Sequence, residues 1–341
     1  MIPAPYDEWF AGSAIDGTYG YDLADLRAVE PVEAAAGFAE TWRTWRVEAS
    51  AVAPEPQLTP LGRVGAHEVS LVEHTAAEGL RLRAWLAVPA EGAARVGVVH
   101  GHGYGGRDAP DFSRVPADAA AIFPVARGLG TLNAGVGAPA VKDEHVLHGI
   151  QAIETYVLGR CAVDLWHAAD ALTEVAGPLP LYYIGESFGG GIGALALPWD
   201  DRYVGATLIV PSFGQYDLRL GLACEGSGEA VRRHVAVHPE AREVLRTFDA
   251  STAATFLRVP VRVEAARWDV VVPPPGQFAV ANGIERAAAR VAGAELELAV
   301  LPAGHAEFPG IDDVRADASA AGLAHLERAL TRPAVSRSTR A

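Results

Sequence analysis

The 341-residue chain has few cysteines and few basic residues, and it lacks any long apolar run. Cys161 and Cys224 are the only cysteines, too few for a disulfide framework or a cysteine-based zinc site. Lys and Arg total 28 against 42 Asp and Glu, a net charge of −14. Nucleic-acid binding needs clustered basic residues, so we expect no nucleic-acid partner. No stretch approaches the roughly 18 apolar residues of a membrane-spanning helix, so no membrane association is expected.

The first residues also lack the features of a secretory signal. The segment MIPAPYDEWF contains two acids, and no basic residue precedes Arg27. A signal peptide needs a positive start followed by an apolar run. We therefore expect a cytoplasmic protein. Half of the residues are hydrophobic, so the chain can bury a large core.

Short β-branched runs alternate with helical patterns from residue 96 onward. Such alternation predicts an α/β fold with a mostly parallel central sheet and helices on both faces. The segment 81–89 (RLRAWLAVP) alternates basic and apolar residues, as an outer antiparallel strand would. The predicted strands of the parallel part are 96–103, 120–128, 180–187, 206–213, 259–269 and 294–305, and helices are predicted at 162–175 and 276–291.

The sharpest local motif is Gly185-Glu186-Ser187-Phe188-Gly189, which lies between the strand-like LYYI and a helical run. A serine at a tight strand-to-helix turn has a strained backbone and an exposed Oγ, and flanking glycines let strand and helix approach closely. The start of the following helix also favours developing negative charge. This placement predicts a nucleophilic Ser187. The alternative is a purely structural glycine-rich turn.

A serine nucleophile requires a base to take its proton, and that base is held by an acid. When serine follows a strand in this way, the chain order is serine, acid, histidine. Two histidines follow Ser187 outside the segment 214–256. His305 closes a strand in a Gly-His turn and is the predicted base, with a hydrogen-bonded loop histidine as the alternative. His325 lies within a helical pattern and is expected to be an ordinary helix residue.

The acid is expected at the end of the preceding strand. Asp269 lies there, followed by a proline-rich turn into the next helix. Glu264 lies within the strand, and Asp312 and Asp313 come after the histidine. Asp269 is therefore the predicted acid, with a surface salt bridge as its alternative role.

An acyl-transfer site also needs two N–H donors for the oxyanion. The backbone N–H of Phe188 is the first expected donor, and that of Tyr104, in the loop after strand 96–103, is the second. His100 and His102 in that loop could start a metal site. No third ligand has matching spacing, so neither a metal nor another cofactor is expected.

Several motifs in order resemble the acetyl xylan esterase and cephalosporin C deacetylase family, the seventh carbohydrate esterase family. The resemblance covers nearly the whole chain and implies an α/β-hydrolase fold. Two stretches, FAETWRTWR and GLRLRAWLAVP, resemble that family's N-terminal helix and strand. The other matching motifs are His102-Gly103-Tyr104, Arg127-Gly128, Gly185 to Gly191, Phe248-Asp249, Asp269 with its following prolines, and Gly304-His305.

The sequence departs from that family's pattern at three positions. Leu129, Phe188 and Ala306 stand where the family usually has Gln, Gln and Glu. Both glutamines are thus apolar here. We hypothesise that the two amides support each other in the family, so that replacing both leaves no buried polar group without a partner.

The resemblance implies a serine carboxylic-ester hydrolase that removes acetyl or another short acyl group from a sugar or small-molecule alcohol, without a cofactor. It also implies a homo-oligomer, a hexamer in that family. Two alternatives remain open. The same triad could act on a lactone, a thioester or a larger acyl group, or transfer an acyl group in biosynthesis. A hydrolase-like protein could also bind a ligand without catalysis.

The expected domain organisation follows from these segments. Residues 1–80 are expected to form an N-terminal helical extension, with helices within 22–47, and the first outer-strand region. Residues 81–333 are expected to form the catalytic domain, with an inserted helical cap at about 214–256. Residues 334–341 are polar and are expected to form a flexible tail.

Overall fold

The computed structural model describes residues 4–332, and in them nine strands form one sheet in the order β1-β2-β3-β5-β4-β6-β7-β8-β9. Neighbouring strands pair antiparallel from β1 to β5 in this order. From β5 through β4 and β6 to β9 they pair parallel. The strands are β1 (Gln57–Val64), β2 (His67–Thr75), β3 (Arg81–Pro89), β4 (Val96–His100), β5 (Ala119–Pro124), β6 (Leu181–Glu186), β7 (Tyr203–Ile209), β8 (Pro260–Ala266) and β9 (Glu295–Leu301).

Helices cover both faces of this sheet. On one face α3, α6, α7, α11 and α12 pack over a large apolar cluster, and on the other α13 packs over a smaller one. The helices are α1 (Tyr6–Trp9), α2 (Leu23–Ala28), α3 (Phe38–Ser50), α4 (Gly130–Asn133), α5 (Lys142–Leu147), α6 (Val157–Ala176), α7 (Phe188–Ala196), α8 (Tyr216–Arg219), α9 (Ser227–Val237), α10 (Ala241–Thr247), α11 (Ala250–Ala254), α12 (Pro274–Ala288) and α13 (Ile311–Thr331).

Side chains of the central strands alternate between the two clusters, as strand geometry requires. In β4, Val98 faces the α13 side and Val99 the α6 side, and in β6 Tyr182 and Tyr183 divide in the same way. Burial on both faces explains why these strands read as continuous apolar runs in the sequence. The predicted α/β class with a mostly parallel sheet is confirmed.

The antiparallel side of the sheet differs from the prediction. Strand β3 is antiparallel as expected, but it is not an edge strand, because β1 and β2 extend the sheet beyond it. The sequence predicts an outer-strand region within residues 1–80 but gives no bounds for either strand. Every residue of β1 is exposed, so its sequence carries no apolar alternation from which a strand could be recognised.

Predicted strands also end too late. The strands predicted to end at residues 128, 269 and 305 end at Pro124, Ala266 and Leu301. The remaining residues of each segment turn into loops at the carboxyl edge of the sheet. Apolar residues continue into these loops because they too are buried, so composition does not mark where the strand ends.

Four short helices, α8 to α11, occupy most of the segment that was predicted to form a cap. Asp249 joins the two ends of this segment. Its buried carboxylate accepts hydrogen bonds from the N–H groups of Gln215 and Tyr216 at one end and of Ser251 and Thr252 at the other. Burial raises the pKa of Asp249, and these donors oppose that rise.

The N-terminal region contains α2 and α3, both within or overlapping the predicted helical stretch 22–47. The predicted tail 334–341 lies outside the described residues. Within residues 4–332, no helix is both long and apolar enough to cross a membrane.

Candidate active site

Ser187 lies between β6 and α7, near the middle of the sheet. Its φ and ψ angles are 54° and −112°, a conformation that costs a non-glycine residue free energy and persists only when neighbouring structure enforces it. The N–H of Ser187 donates to the carbonyl of Ile209 in β7. The N–H of Gly189 donates to the carbonyl of His102, and a Cβ on Gly189 would lie 2.8 Å from that oxygen. The turn therefore depends on glycine at this position.

His305 and Asp269 meet Ser187 at the carboxyl edge of the sheet. Nε2 of His305 lies 2.9 Å from Oγ of Ser187, and Nδ1 lies 2.8 Å from Oδ2 of Asp269. Because the carboxylate accepts the Nδ1–H, the lone pair on Nε2 faces the serine hydroxyl. The structure thus brings together the three side chains that sequence analysis selected.

Asp269 is completely buried, with 0% of its surface exposed, and each carboxylate oxygen has its own donors. Oδ1 accepts from the N–H groups of Val271 and Val272 at 2.9 and 3.0 Å. Oδ2 accepts from His305 and from Nε2 of Gln277 at 2.9 Å. A buried carboxylate requires such compensation, and here it also fixes the carboxylate plane toward the imidazole.

Gln277 is a site residue that sequence analysis does not identify. Its side chain is fully buried in the first turns of α12. Besides Asp269, its amide donates to the carbonyl of Val272 and accepts from the N–H of Ala266. One amide therefore joins the end of β8, the acid turn and α12. The only sequence signal is a polar residue within a mostly apolar helix, eight positions after Asp269.

The environment of His305 favours its protonated form. Burial by itself would lower the pKa of the imidazole, but the hydrogen bond and negative charge of Asp269, together with the charge of Glu186, raise the pKa above its ordinary value. The imidazole is partly accessible, with 19% of the side chain exposed. Glu186, next to the nucleophile, thus acts on the site electrostatically.

The two expected oxyanion donors flank Ser187 in neighbouring segments. Tyr104 follows β4, the strand beside β6, and Phe188 is the first residue of α7. Among the described residues, neither N–H has a hydrogen-bond acceptor. Both groups are therefore free to donate to a ligand.

The side chains of Tyr104 and Phe188 pack against each other beneath this region. Their rings lie 4.6 Å apart, and Phe188 also contacts Phe213. The hydroxyl of Tyr104 donates to Nδ1 of His145, whose Nε2–H donates to the carbonyl of Arg127. Leu129 is buried in the large apolar cluster that also contains Phe188. Near Leu129 and Phe188, which replace the family's glutamines, the Tyr104 hydroxyl, the His145 ring and the Arg127 carbonyl are thus hydrogen-bonded to one another.

The N-terminal arm, residues 4–21, covers the outer side of the acid and histidine turns. The ring of Phe10 stacks on Trp268 with centroids 3.7 Å apart. The carbonyl of Gly17 accepts from the N–H of Asp269, and the hydroxyl of Tyr6 donates to the carbonyl of Pro302. The N-terminal arm thus contacts both the acid turn and the histidine turn, although it is distant from them in the sequence.

A cavity of about 600 Å³ extends from His305 along the edge of the sheet. Its lining includes Glu186, Val210, Phe308 and the start of α13. Arg114 and Glu264 form a two-pronged ion pair at 2.8 and 2.9 Å in its wall. This cavity provides space beside the imidazole for a small organic group.

The competing candidates lie in other surroundings. His325 is buried in α13, where its Nδ1 bonds the hydroxyl of Tyr182. Glu264 is held by Arg114 and Arg262, and Asp312 and Asp313 are exposed. His102 bonds loop backbone through both ring nitrogens, and the described residues contain no group of three or more side chains that could hold a metal ion.

Comparisons with known proteins identify a family for this chain. The family model described as acetyl xylan esterase (AXE1) matches residues 22–291. A search of curated proteins finds no match.

Solved structures of similar fold include two acetyl xylan esterases. The one from Paenibacillus sp. R4 has a TM-score of 0.74 at 18% identity and covers 88% of this chain and 99% of its own. That from Thermoanaerobacterium sp. JW/SL YS485 has the same TM-score and identity and covers 89% and 99%. An acylaminoacyl peptidase from Pyrococcus horikoshii gives a TM-score of 0.59 at 13% identity, over 79% of this chain but 43% of that one.

The structural matches establish the α/β-hydrolase fold that the motifs predicted. The family match spans well over half of the chain, including the serine turn and the acid turn. The chain therefore belongs to the acetyl xylan esterase (AXE1) family of hydrolases.

Proposed function

We propose that this protein is a serine carboxylic-ester hydrolase that removes acetyl or another short acyl group from a sugar or small-molecule alcohol. One observation carries the proposal, namely the hydrogen-bonded chain from Oγ of Ser187 through His305 to the buried carboxylate of Asp269. A serine in this arrangement becomes nucleophilic because the imidazole can take its proton as the new bond forms.

In the first half of the reaction, Oγ of Ser187 attacks the ester carbonyl while Nε2 of His305 accepts the hydroxyl proton. The N–H groups of Tyr104 and Phe188 stabilise the negative charge on the carbonyl oxygen. Asp269 stabilises the imidazolium without accepting its proton. His305 then gives the proton to the leaving alcohol oxygen, and an acyl-serine remains.

In the second half, His305 accepts a proton from a water molecule that attacks the acyl carbonyl. The proton returns to Oγ of Ser187 as the acyl–serine bond breaks, and the carboxylic acid leaves. No step requires a metal or an organic cofactor. The cavity beside His305 supports placing the alcohol part there, because the imidazole must reach the leaving oxygen.

A second candidate keeps the same residues but uses a larger acyl group, a lactone or a thioester, or transfers the acyl group. The packed aromatic rings of Tyr104, Phe188 and Phe213 favour it, because they include the residue after the nucleophile, which is one of the two positions where the family usually has glutamine. Acyl-chain length distinguishes the two candidates.

Activity on p-nitrophenyl esters tests the proposal. We expect kcat/KM to be highest for acetate and to fall sharply beyond propionate, because a short-acyl site excludes longer chains. Ser187→Ala should reduce kcat on the order of 10⁴-fold or more. A maximum at longer chains would favour the second candidate, and unchanged activity of Ser187→Ala would contradict both.

The pH dependence of kcat/KM tests the electrostatics of His305. Only neutral imidazole can accept the serine proton, so activity should fall as the pH decreases through the pKa of His305, with a midpoint above the ordinary value of about 6.5. Glu186→Gln removes a charge that raises this pKa, so the midpoint should move to lower pH.

Glu307→Gln is the matched control for this measurement. Glu307 lies two residues from His305 and pairs with Arg315, and it is not among the groups that shift the pKa of the imidazole. We expect its profile to match that of the unmodified protein. Equal shifts in both variants would refute a specific effect of Glu186.

The role of Gln277 as a positioning residue is tested by Gln277→Leu. We expect kcat to fall roughly tenfold with little change in KM, because Asp269 loses a donor and holds the imidazole less firmly. Asn282→Leu is the control. It removes a buried amide from the same helix, but that amide donates to the carbonyls of Leu26 and Val29, away from the acid turn.

Both substitutions should lower the free energy of unfolding by about 1–3 kcal/mol, because each leaves buried backbone groups without a partner. Denaturant unfolding measures this common effect. A fall in kcat of equal size in the two variants would show that Gln277 acts only through stability.

A further inference from the structure

Arg219, the last residue of α8, is a buried cation for which residues 4–332 supply no counter-ion. Its exposed fraction is 5%, and its Nε is buried without a hydrogen-bond partner in the described part of the chain. No ion pair or side-chain hydrogen bond of Arg219 occurs among those residues. By contrast, buried Arg127 pairs with Asp164, and buried Arg262 pairs with Glu264 and Glu297. An unpaired buried charge is costly.

Two acidic groups that act by charge on the same side chains as Arg219 already have other partners, and a third, Glu225, is exposed. Asp249 and Arg219 both act by charge on the hydroxyl of Tyr216, and Glu229 and Arg219 both act on the thiol of Cys224. Asp249 accepts hydrogen bonds from four backbone N–H groups. Glu229 pairs with Arg232 and Arg233. Neither carboxylate serves as the partner of the Arg219 guanidinium.

A second positive feature lies against this guanidinium. The eleven-residue helix α9 begins beside it, and a Cβ on Gly228 in the first turn would overlap Nη2 of Arg219. The N-cap residue Gly226 offers no side chain to accept from the first N–H groups of the helix. The N-terminal end of a helix carries partial positive charge. Two positive groups therefore converge here.

This position adjoins the acid turn of the active site. The N–H of Glu225 donates to the carbonyl of Val270 at 2.7 Å, so the chain leading into α9 is hydrogen-bonded to that turn. A Cβ on Gly226 would lie 3.7 Å from Cγ1 of Val271. Arg219 and Asp269 also both act by charge on the hydroxyl of Tyr19. The Arg219 guanidinium and the catalytic carboxylate of Asp269 therefore both lie close enough to Tyr19 to affect its hydroxyl by charge.

We propose that Arg219 and the first turn of α9 bind an anionic group of the substrate, and that the natural ester carries a carboxylate. A carboxylate would satisfy the guanidinium with paired hydrogen bonds and would also accept from the first N–H groups of the helix. This inference rests on the proposed ester hydrolysis and narrows its substrate class from neutral to acidic esters.

Matched esters test the proposal. The carboxylate can lie on the alcohol side, as in 4-acetoxybenzoate against 4-acetoxybenzamide, or on the acyl side, as in p-nitrophenyl hemisuccinate against p-nitrophenyl butyrate. For at least one pair, we expect Arg219→Met to lower the ratio of kcat/KM for the acidic ester to that for the neutral ester by roughly 10- to 100-fold. Arg219→Lys should restore part of the ratio.

Arg246→Met is the control for a loss of net charge. Arg246 is a partly exposed residue of the neighbouring helix α10 and pairs with Asp217, so its substitution should leave both ratios unchanged. Thermal unfolding provides a readout of structural effects. Because Arg219 has no ion-pair partner within residues 4–332, Arg219→Met should not lower the unfolding midpoint.

Three results would overturn the inference. The first is that Arg219→Met leaves the kcat/KM ratio of acidic to neutral ester unchanged in both pairs. The second is that Arg246→Met changes this ratio equally, and the third is that Arg219→Met lowers the unfolding midpoint without changing the ratio.

Calorimetric titration of Ser187→Ala with benzoate separates this inference from the proposed function, because it requires no turnover. Saturable binding that Arg219→Met abolishes supports the anion site, and absence of binding in both proteins contradicts it. Failure to hydrolyse any ester would refute only the proposed function.

Discussion

The hydrogen bond between the buried carboxylate of Asp269 and His305 is the interaction on which the rest of the site depends. A fully buried carboxylate is stable only when its oxygens are satisfied, and here four donors satisfy them. Three of these donors fix the carboxylate, and the fourth is the imidazole. The orientation of His305 toward Ser187 therefore follows from how the acid turn is built.

The fold supplies this geometry through a few long-range contacts. The parallel strands place the serine, acid and histidine turns at one edge of the sheet. The N-terminal arm then holds the acid turn through Gly17 and Phe10, and α12 holds it through Gln277. The strained backbone of Ser187 and the raised pKa of His305 both persist because neighbouring segments enforce them.

Sequence analysis predicts the α/β class and the parallel core because burial on both faces leaves continuous apolar runs. It also selects Ser187, Asp269 and His305, because each lies at a turn after a strand. It places an outer-strand region within residues 1–80 but does not give the bounds of β1, whose residues are all exposed. The N-terminal arm is missed because its partners are distant in the chain, such as Tyr6 and Pro302, which are 296 positions apart. Gln277 is only eight positions from Asp269, but a single polar residue in a mostly apolar helix does not show which group it contacts. The burial of Arg219 depends on the fold and leaves no local pattern in the sequence.

Covalent trapping of the nucleophile tests the account most directly. Treatment with a serine-reactive p-nitrophenyl phosphonate, followed by intact-mass measurement and peptide mapping, reports which hydroxyl is activated. The account predicts one adduct, located on Ser187, that is absent in Ser187→Ala and forms much more slowly in His305→Ala. No adduct under conditions that label a known serine esterase, or an adduct on another residue, would contradict it.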